Sequence, residues 1–147
     1  MEDINVLLDE LVSIFQSTFE NIQKKNNFQY KEERELNNPI YGSLIRLYLT
    51  NKVYDIELYL KFNYEDDVTF FINKISETKS ISFSRYLKHK EYEKDYILSL
   101  NHFEGDTIQE RFKKYCDYVV RILETDLKNV VEGKEWIEMP IDWMGYK

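Results

Sequence analysis

The sequence predicts an α+β fold: an antiparallel β-meander of four to five strands, with N- and C-terminal helices packed on one face. Three observations lead there. Apolar residues recur at three- and four-residue steps near both ends of the chain, the mark of amphipathic helices. Between them run short alternating segments separated by turn-forming Asn, Asp and Ser, the pattern of strands. The chain has 147 residues with 43 % hydrophobic and 16 % aromatic side chains, enough for the core of one ordinary domain spanning 1–147.

The first helix is expected over 3–24. Ile4, Leu8, Leu11, Phe15, Phe19 and Ile22 form its stripe, widened by Leu7, Val12 and Ile14. Glu2 and Asp3 suit its positive end, and Lys24 and Lys25 its negative end. Asn26-Asn27 stops it, and a short extended piece follows around Phe28 and Tyr30. Lys31 to Pro39 is charged, Asn-rich and without period, so it reads as a loop.

The clearest element is a hairpin, in a sheet expected over about 28–103. A two-residue turn at Asn51-Lys52 pairs Thr50 with Val53, Leu47 with Ile56 and Arg46 with Glu57. One face then carries Ile45, Leu47, Leu49, Ile56, Leu58 and Leu60; the other carries Arg46, Tyr48, Asp55, Glu57, Tyr59 and Lys61. A slip by one residue would mix the two sets, so the facing is strongly specified. Val68 to Ile75 reads as a third strand, Ile81 to Leu87 as a fourth and Tyr96 to Phe103 as a fifth.

A second long helix is expected over 107–132. Thr107-Ile108-Gln109-Glu110 has the spacing of a capping box. Ile108, Phe112, Tyr115, Val119, Ile122 and Val130 line one stripe beside Cys116, Leu123 and Leu127, and Gly133 marks the stop. The tail, 133–147, holds Trp136, Trp143 and Tyr146 among Glu135, Glu138 and Asp142. Two readings of it stand: it completes the core across a sheet edge or helix, or it is an aromatic and acidic binding segment.

Charge and cysteine usage narrow the function classes. The net charge is −7 with a pI near 5, which serves solubility or steers a basic partner. It disfavours a nucleic-acid binder, since phosphate contacts need concentrated Lys and Arg. The basic run Arg85, Lys88, Lys90 and Lys94, interleaved with Tyr86, Tyr92 and Tyr96, is diluted by Glu91, Glu93 and Asp95. One cysteine, Cys116, forms no internal disulfide, and no stretch approaches the ~20 apolar residues of a membrane span. With no signal peptide at Met1-Glu2-Asp3-Ile4, cytoplasmic residence and no membrane partner are expected.

No catalytic or metal constellation emerges, and no cofactor is called for. His89 and His102 stand apart from each other and from Cys116; His102 near Glu104 and Asp106 is the nearest approach to a metal cluster and reads as a surface histidine. Gly42, Gly105, Gly133 and Gly145 are too scattered for a phosphate loop. Asp55 and Glu57, two strand steps apart, have a spacing that acid–base chemistry uses, but Arg46 and Lys61 around them favour a solvated charged face.

A helix–sheet–helix chain of this size, acidic and ending in Glu135-Trp136-Ile137-Glu138-Met139-Pro140-Ile141-Asp142-Trp143, resembles immunity proteins of bacterial polymorphic toxin systems. Its Asn-, Lys- and Ile-rich usage is similar to that of low-GC Gram-positive bacteria, where such antitoxins neutralise LXG-type secreted toxins. The resemblance implies a non-enzymatic protein that binds and covers a cognate toxin, for instance a basic nuclease domain. It assigns no role to any single residue. The contacts that charge and aromatic placement suggest are Asp55, Glu57 and Tyr59 on the polar sheet face, and Trp136, Asp142 and Trp143 in the tail. Two other readings remain open: a small-ligand binder or enzyme with a pocket between sheet and helices, and a homodimer pairing sheet faces or edges.

Overall fold

The computed structural model describes residues 4–39, 42–62, 67–75, 79–89, 100 and 103–138. Within them the chain is α+β, with five antiparallel strands and helices before and after them. The strands lie in chain order, β1-β2-β3-β4-β5, as a meander joined by short turns requires.

Helix α1 spans Ile4–Thr18 and α2 spans Glu20–Lys25. Leu8, Leu11, Phe15, Phe19 and Ile22 are buried along the expected stripe. The expected single helix has a joint at Phe19, where the Thr18 hydroxyl donates back to the Ile14 carbonyl at 2.7 Å. Such back-bonding competes with the helical ladder and bends it. Asn26 and Asn27 end the run, with Asn27 in the left-handed region at φ 56° and the Asn26 side chain donating to the Ile22 carbonyl. Glu2 and Asp3 lie outside the described residues.

The expected loop from Lys31 to Pro39 is a strand instead: β1 spans Gln29–Asn38 and pairs with β2, Gly42–Thr50. Its hydrophobic period is missing because it is an edge strand. Tyr30 and Leu36 pack on the core, but the core-side positions between them hold Glu32 and Arg34. Arg34 reaches past the sheet rim to Asp9 of α1 at 2.8 Å and to Glu32 at 2.7 Å. Charges at such positions are how natural sheets guard an edge.

The hairpin of β2 with β3, Tyr54–Phe62, keeps the expected faces but not the expected register. Leu47 pairs with Leu58 and Arg46 with Tyr59, so the Arg46–Glu57 opposition does not form. The turn sits one residue later, at Lys52-Val53: the Asn51 amide donates to the Tyr54 carbonyl at 3.0 Å, and the Asn51 carboxamide oxygen accepts from the Val53 and Tyr54 amides at 2.8 and 2.9 Å. The offset is two residues, an even number, so every side chain stays on its face. Ile45, Leu47, Leu49, Ile56, Leu58 and Leu60 are each 0 % exposed.

β4, Asp67–Lys74, follows as expected. The expected fourth strand from Ile81 to Leu87 divides: β5 covers Lys79–Ser82, and helix α3 takes Phe83–His89. Phe83, Tyr86 and Leu87 stand three and four residues apart and are all buried, a helical period. Tyr86 therefore belongs to the core rather than to a base-stacking platform. The expected fifth strand, Tyr96 to Phe103, lies largely outside the described residues. At its end the chain turns, with the Phe103 amide donating to the Leu100 carbonyl at 3.0 Å.

Helix α4, Ile108–Glu124, begins at the predicted cap. The Thr107 hydroxyl accepts from the Glu110 amide at 3.2 Å, and the Glu110 carboxylate reaches back to the Asp106 amide at 3.0 Å. The helix ends at Thr125, where the hydroxyl bonds back to the Arg121 carbonyl, and one further turn, α5, covers Lys128–Val131. Gly133 adopts φ +77° and closes it. Phe112, Tyr115, Cys116, Val119, Ile122 and Leu123 are buried against α1 and the oily side of the sheet. No helix among the described residues is long and apolar enough to cross a membrane.

Candidate functional site: the outer face of the sheet

Packing of α1 and α4 on one side leaves the opposite side of the sheet as the distinctive surface. Its residues follow from strand parity. Across the middle run Lys31, Tyr48, Glu57, Phe71 and Ser82; beside them run Glu33, Arg46, Tyr59 and Thr69; on the other flank run Thr50, Asp55, Asn73 and Ser80. Opposed residues in such ladders stand about 4.5–5.5 Å apart, so these side chains touch their row neighbours. Tyr48, Glu57, Tyr59 and Phe71 are all half-buried.

Glu57 sits at the centre, between Tyr48 and Phe71 in its own row. The Asn73 amide donates to its carboxylate at 3.5 Å, and the Asn73 oxygen accepts from the Ser80 hydroxyl at 2.8 Å. Partial burial pushes the Glu57 carboxyl above its ordinary value; the Arg46 charge and the Asn73 bond oppose this, while Asp55 and Glu33 add to it. Arg46 lies over the Tyr59 ring, its guanidinium carbon 4.9 Å from the centroid, and 3.8 Å from a Glu33 oxygen. Contact with the Tyr48 and Tyr59 hydroxyls and charges holds it the more firmly protonated. Tyr48 is pushed up by burial, with the charges of Glu57 and Glu33 adding to it.

The result is a flat surface of mixed charge. Lys31, Arg46 and Lys61 interleave with Glu33, Glu35, Asp55 and Glu57, so the excess negative charge of the chain is not concentrated there. Its distinctive feature is a carboxylate held among aromatic rings. Such a surface can accept a cationic side chain: the rings supply area and a quadrupole, and the carboxylate supplies the counter-charge.

The structure brings together Asp55, Glu57 and Tyr59 of the expected contacts and separates Trp136 from them. Trp136 stacks on Tyr54 at 6.1 Å with the rings 9° from parallel, and Lys74 lies over it at 5.9 Å. Tyr54 is buried in the core on the helix side of the sheet, so Trp136 and Ile137 close that layer's rim. Glu138 pairs with Lys79 there. This part of the tail completes the core; Asp142 and Trp143 lie outside the described residues. Sequence reasoning missed Phe71 and Asn73. Their signal is the alternation Val68, Phe70, Ile72 against Thr69, Phe71, Asn73, which adjacent phenylalanines blur.

Other candidates resolve into structure. Cys116 is fully buried and its thiol is pushed well up by that burial, so it acts as a small hydrophobe. Among the described residues no group of three or more His, Cys, Asp and Glu is placed to hold a metal. Hollows open at the rims. One of about 130 Å³ lies between α2 and α5, lined by Ile22, Lys25 and Glu132; another of about 600 Å³ lies beside the Asn26 and Asn51 turns. Between the layers, Phe15 of α1 and Phe19 at the joint with α2 pack directly on the strands, with Phe19 6.1 Å from Phe70 and Phe15 6.1 Å from Tyr30. No family model matches the chain, and no curated protein or solved structure does either.

Proposed function

We propose that this is a non-catalytic binding protein that neutralises a partner protein through the outer face of the sheet, in the manner of an immunity protein acting on a cognate toxin. The observation that carries the reading is Glu57: a carboxylate kept half-buried among Tyr48, Tyr59 and Phe71 on a face that no described element covers. Holding a carboxylate above its ordinary pKa works against folding at neutral pH, and the Arg46 charge and the Asn73 bond offset that only in part. A lysine or arginine from a partner recovers that cost on binding. The net charge of −7 speeds encounter with a basic surface, and the buried rings slow release. A cytoplasmic location, meeting the toxin where it acts, belongs to the same proposal.

The test is co-expression with each candidate toxin encoded next to the gene for this chain, scoring survival. Wild type protects, and Glu57→Arg and Tyr59→Ala lose protection while their thermal midpoints stay near wild type. Full protection by both variants, or no protection by wild type, sinks the proposal.

A further inference from the structure

We propose that β1 pairs antiparallel with β1 of a second copy of this chain, about a two-fold axis through Glu33, joining two five-stranded sheets into one of ten strands. The two edges of the sheet are unequal. β5 is four residues long and β1 is ten, and among the described residues β1 pairs with β2 alone. Its register against β2 is regular from Gln29 to Glu35 before a bulge interrupts it. Lys31, Glu32, Glu33 and Glu35 are exposed. A long regular edge offers a row of backbone donors and acceptors to another strand.

The charges that guard this edge against strands in general also select one self-pairing. A two-fold axis perpendicular to the sheet keeps the helices of both copies on one side, so odd residues meet odd and even meet even. Centred on Glu33, the pairing sets Lys31 against Glu35 and Glu32 against Arg34, each twice by symmetry. That is four opposite-charge contacts against one like-charge contact, Glu33 with its own copy. Centred on Glu32 there are two, Lys31 with Glu33 twice, against one repulsion. Centred on Arg34, Glu33 meets Glu35 twice and Arg34 meets itself, and centred on Lys31 two lysines meet. Only the register on Glu33 turns most of the row to advantage. Arg46 of each copy, 3.8 Å from its own Glu33, tempers the central repulsion. A hollow of about 370 Å³ beside the edge, lined by Glu33, Arg34, Glu35, Leu44 and Arg46, leaves room for the arriving side chains. The pairing extends the outer face without covering it, so it stands or falls independently of the function proposed above.

Sedimentation velocity of the purified full chain over a concentration series, at low and high salt, tests this. Wild type is expected to dimerise, less so in high salt. Lys31→Glu, which sets a carboxylate opposite Glu35 in both symmetry-related places, weakens the dimer about tenfold or more. Adding Glu35→Lys to it restores the opposite charges and the dimer. Glu33→Gln removes the one repulsive contact and tightens the dimer, an outcome that a folding defect cannot imitate. A wild type that stays monomeric throughout, a Lys31→Glu dimer as tight as wild type, a swap that fails to recover, or no tightening by Glu33→Gln overturns the proposal.

Discussion

At the scale of single residues, two carboxylates respond to pH in opposite senses. Glu57 is pushed above 4.5 by burial, so the folded chain holds its proton where the unfolded chain has released it. Its contribution to stability falls as pH rises from about the unfolded value through the folded one, and stays unfavourable at neutral pH. Glu57→Gln should therefore raise the urea midpoint at pH 7, with the gain shrinking toward pH 4. Glu132 behaves in reverse. Lys25, at 2.8 Å, and Lys134, at 3.0 Å, hold it down at about 2, so its stabilisation is present above 4.5 and is lost as pH falls from there to about 2. Glu132→Gln should flatten the acid limb of the stability profile between pH 4.5 and 2, measured by the same titration. Thr107 offers a simpler case: removing its cap with Thr107→Ala should cost about 1 kcal/mol, read from denaturant unfolding.

At the scale of elements, the sheet makes the sharpest contrast. Leu58→Ala opens a cavity in a fully buried layer and should cost about 2–5 kcal/mol. Tyr48→Ala, one strand away on the other side, loses only half-buried area and should cost clearly less in the same denaturant series. Equal costs would mean that the two faces are not distinct. That facing was legible in the sequence because alternation from Ile45 to Leu60 survives any even error in register. The register itself was not, because it depends on how the Asn51 side chain bonds its turn. β1 was illegible for a related reason. An edge strand replaces apolar core-side residues with a bonded Arg34, so the sheet period vanishes where the edge is defended. Phe83 to Leu87 was ambiguous, since five residues with three apolar ones fit a strand or one helical turn. The long helices were plain because Leu8, Leu11 and Phe15, like Phe112, Tyr115 and Val119, repeat over several turns.

At the scale of the whole molecule, the division of labour between the two sides of the sheet carries the functional argument. One side accepts α1, α4 and the Trp136 rim and fixes the fold; the other keeps polar and aromatic residues at positions that stability alone would fill with simpler ones. Placing Asp55, Glu57 and Tyr59 together needed only the strand period. Separating Trp136 from them needed the third dimension, because nothing in the tail's composition says which side it crosses.

Hydroxyl-radical footprinting of the free full chain, read by mass spectrometry at single residues, tests that division most directly. We expect Tyr48, Tyr59 and Phe71 to oxidise well ahead of Phe70, Tyr86 and Tyr115, which are no more than 2 % exposed. Protection of Tyr48, Tyr59 and Phe71 to the level of those core rings would contradict an open outer face, and with it the binding function built on that face.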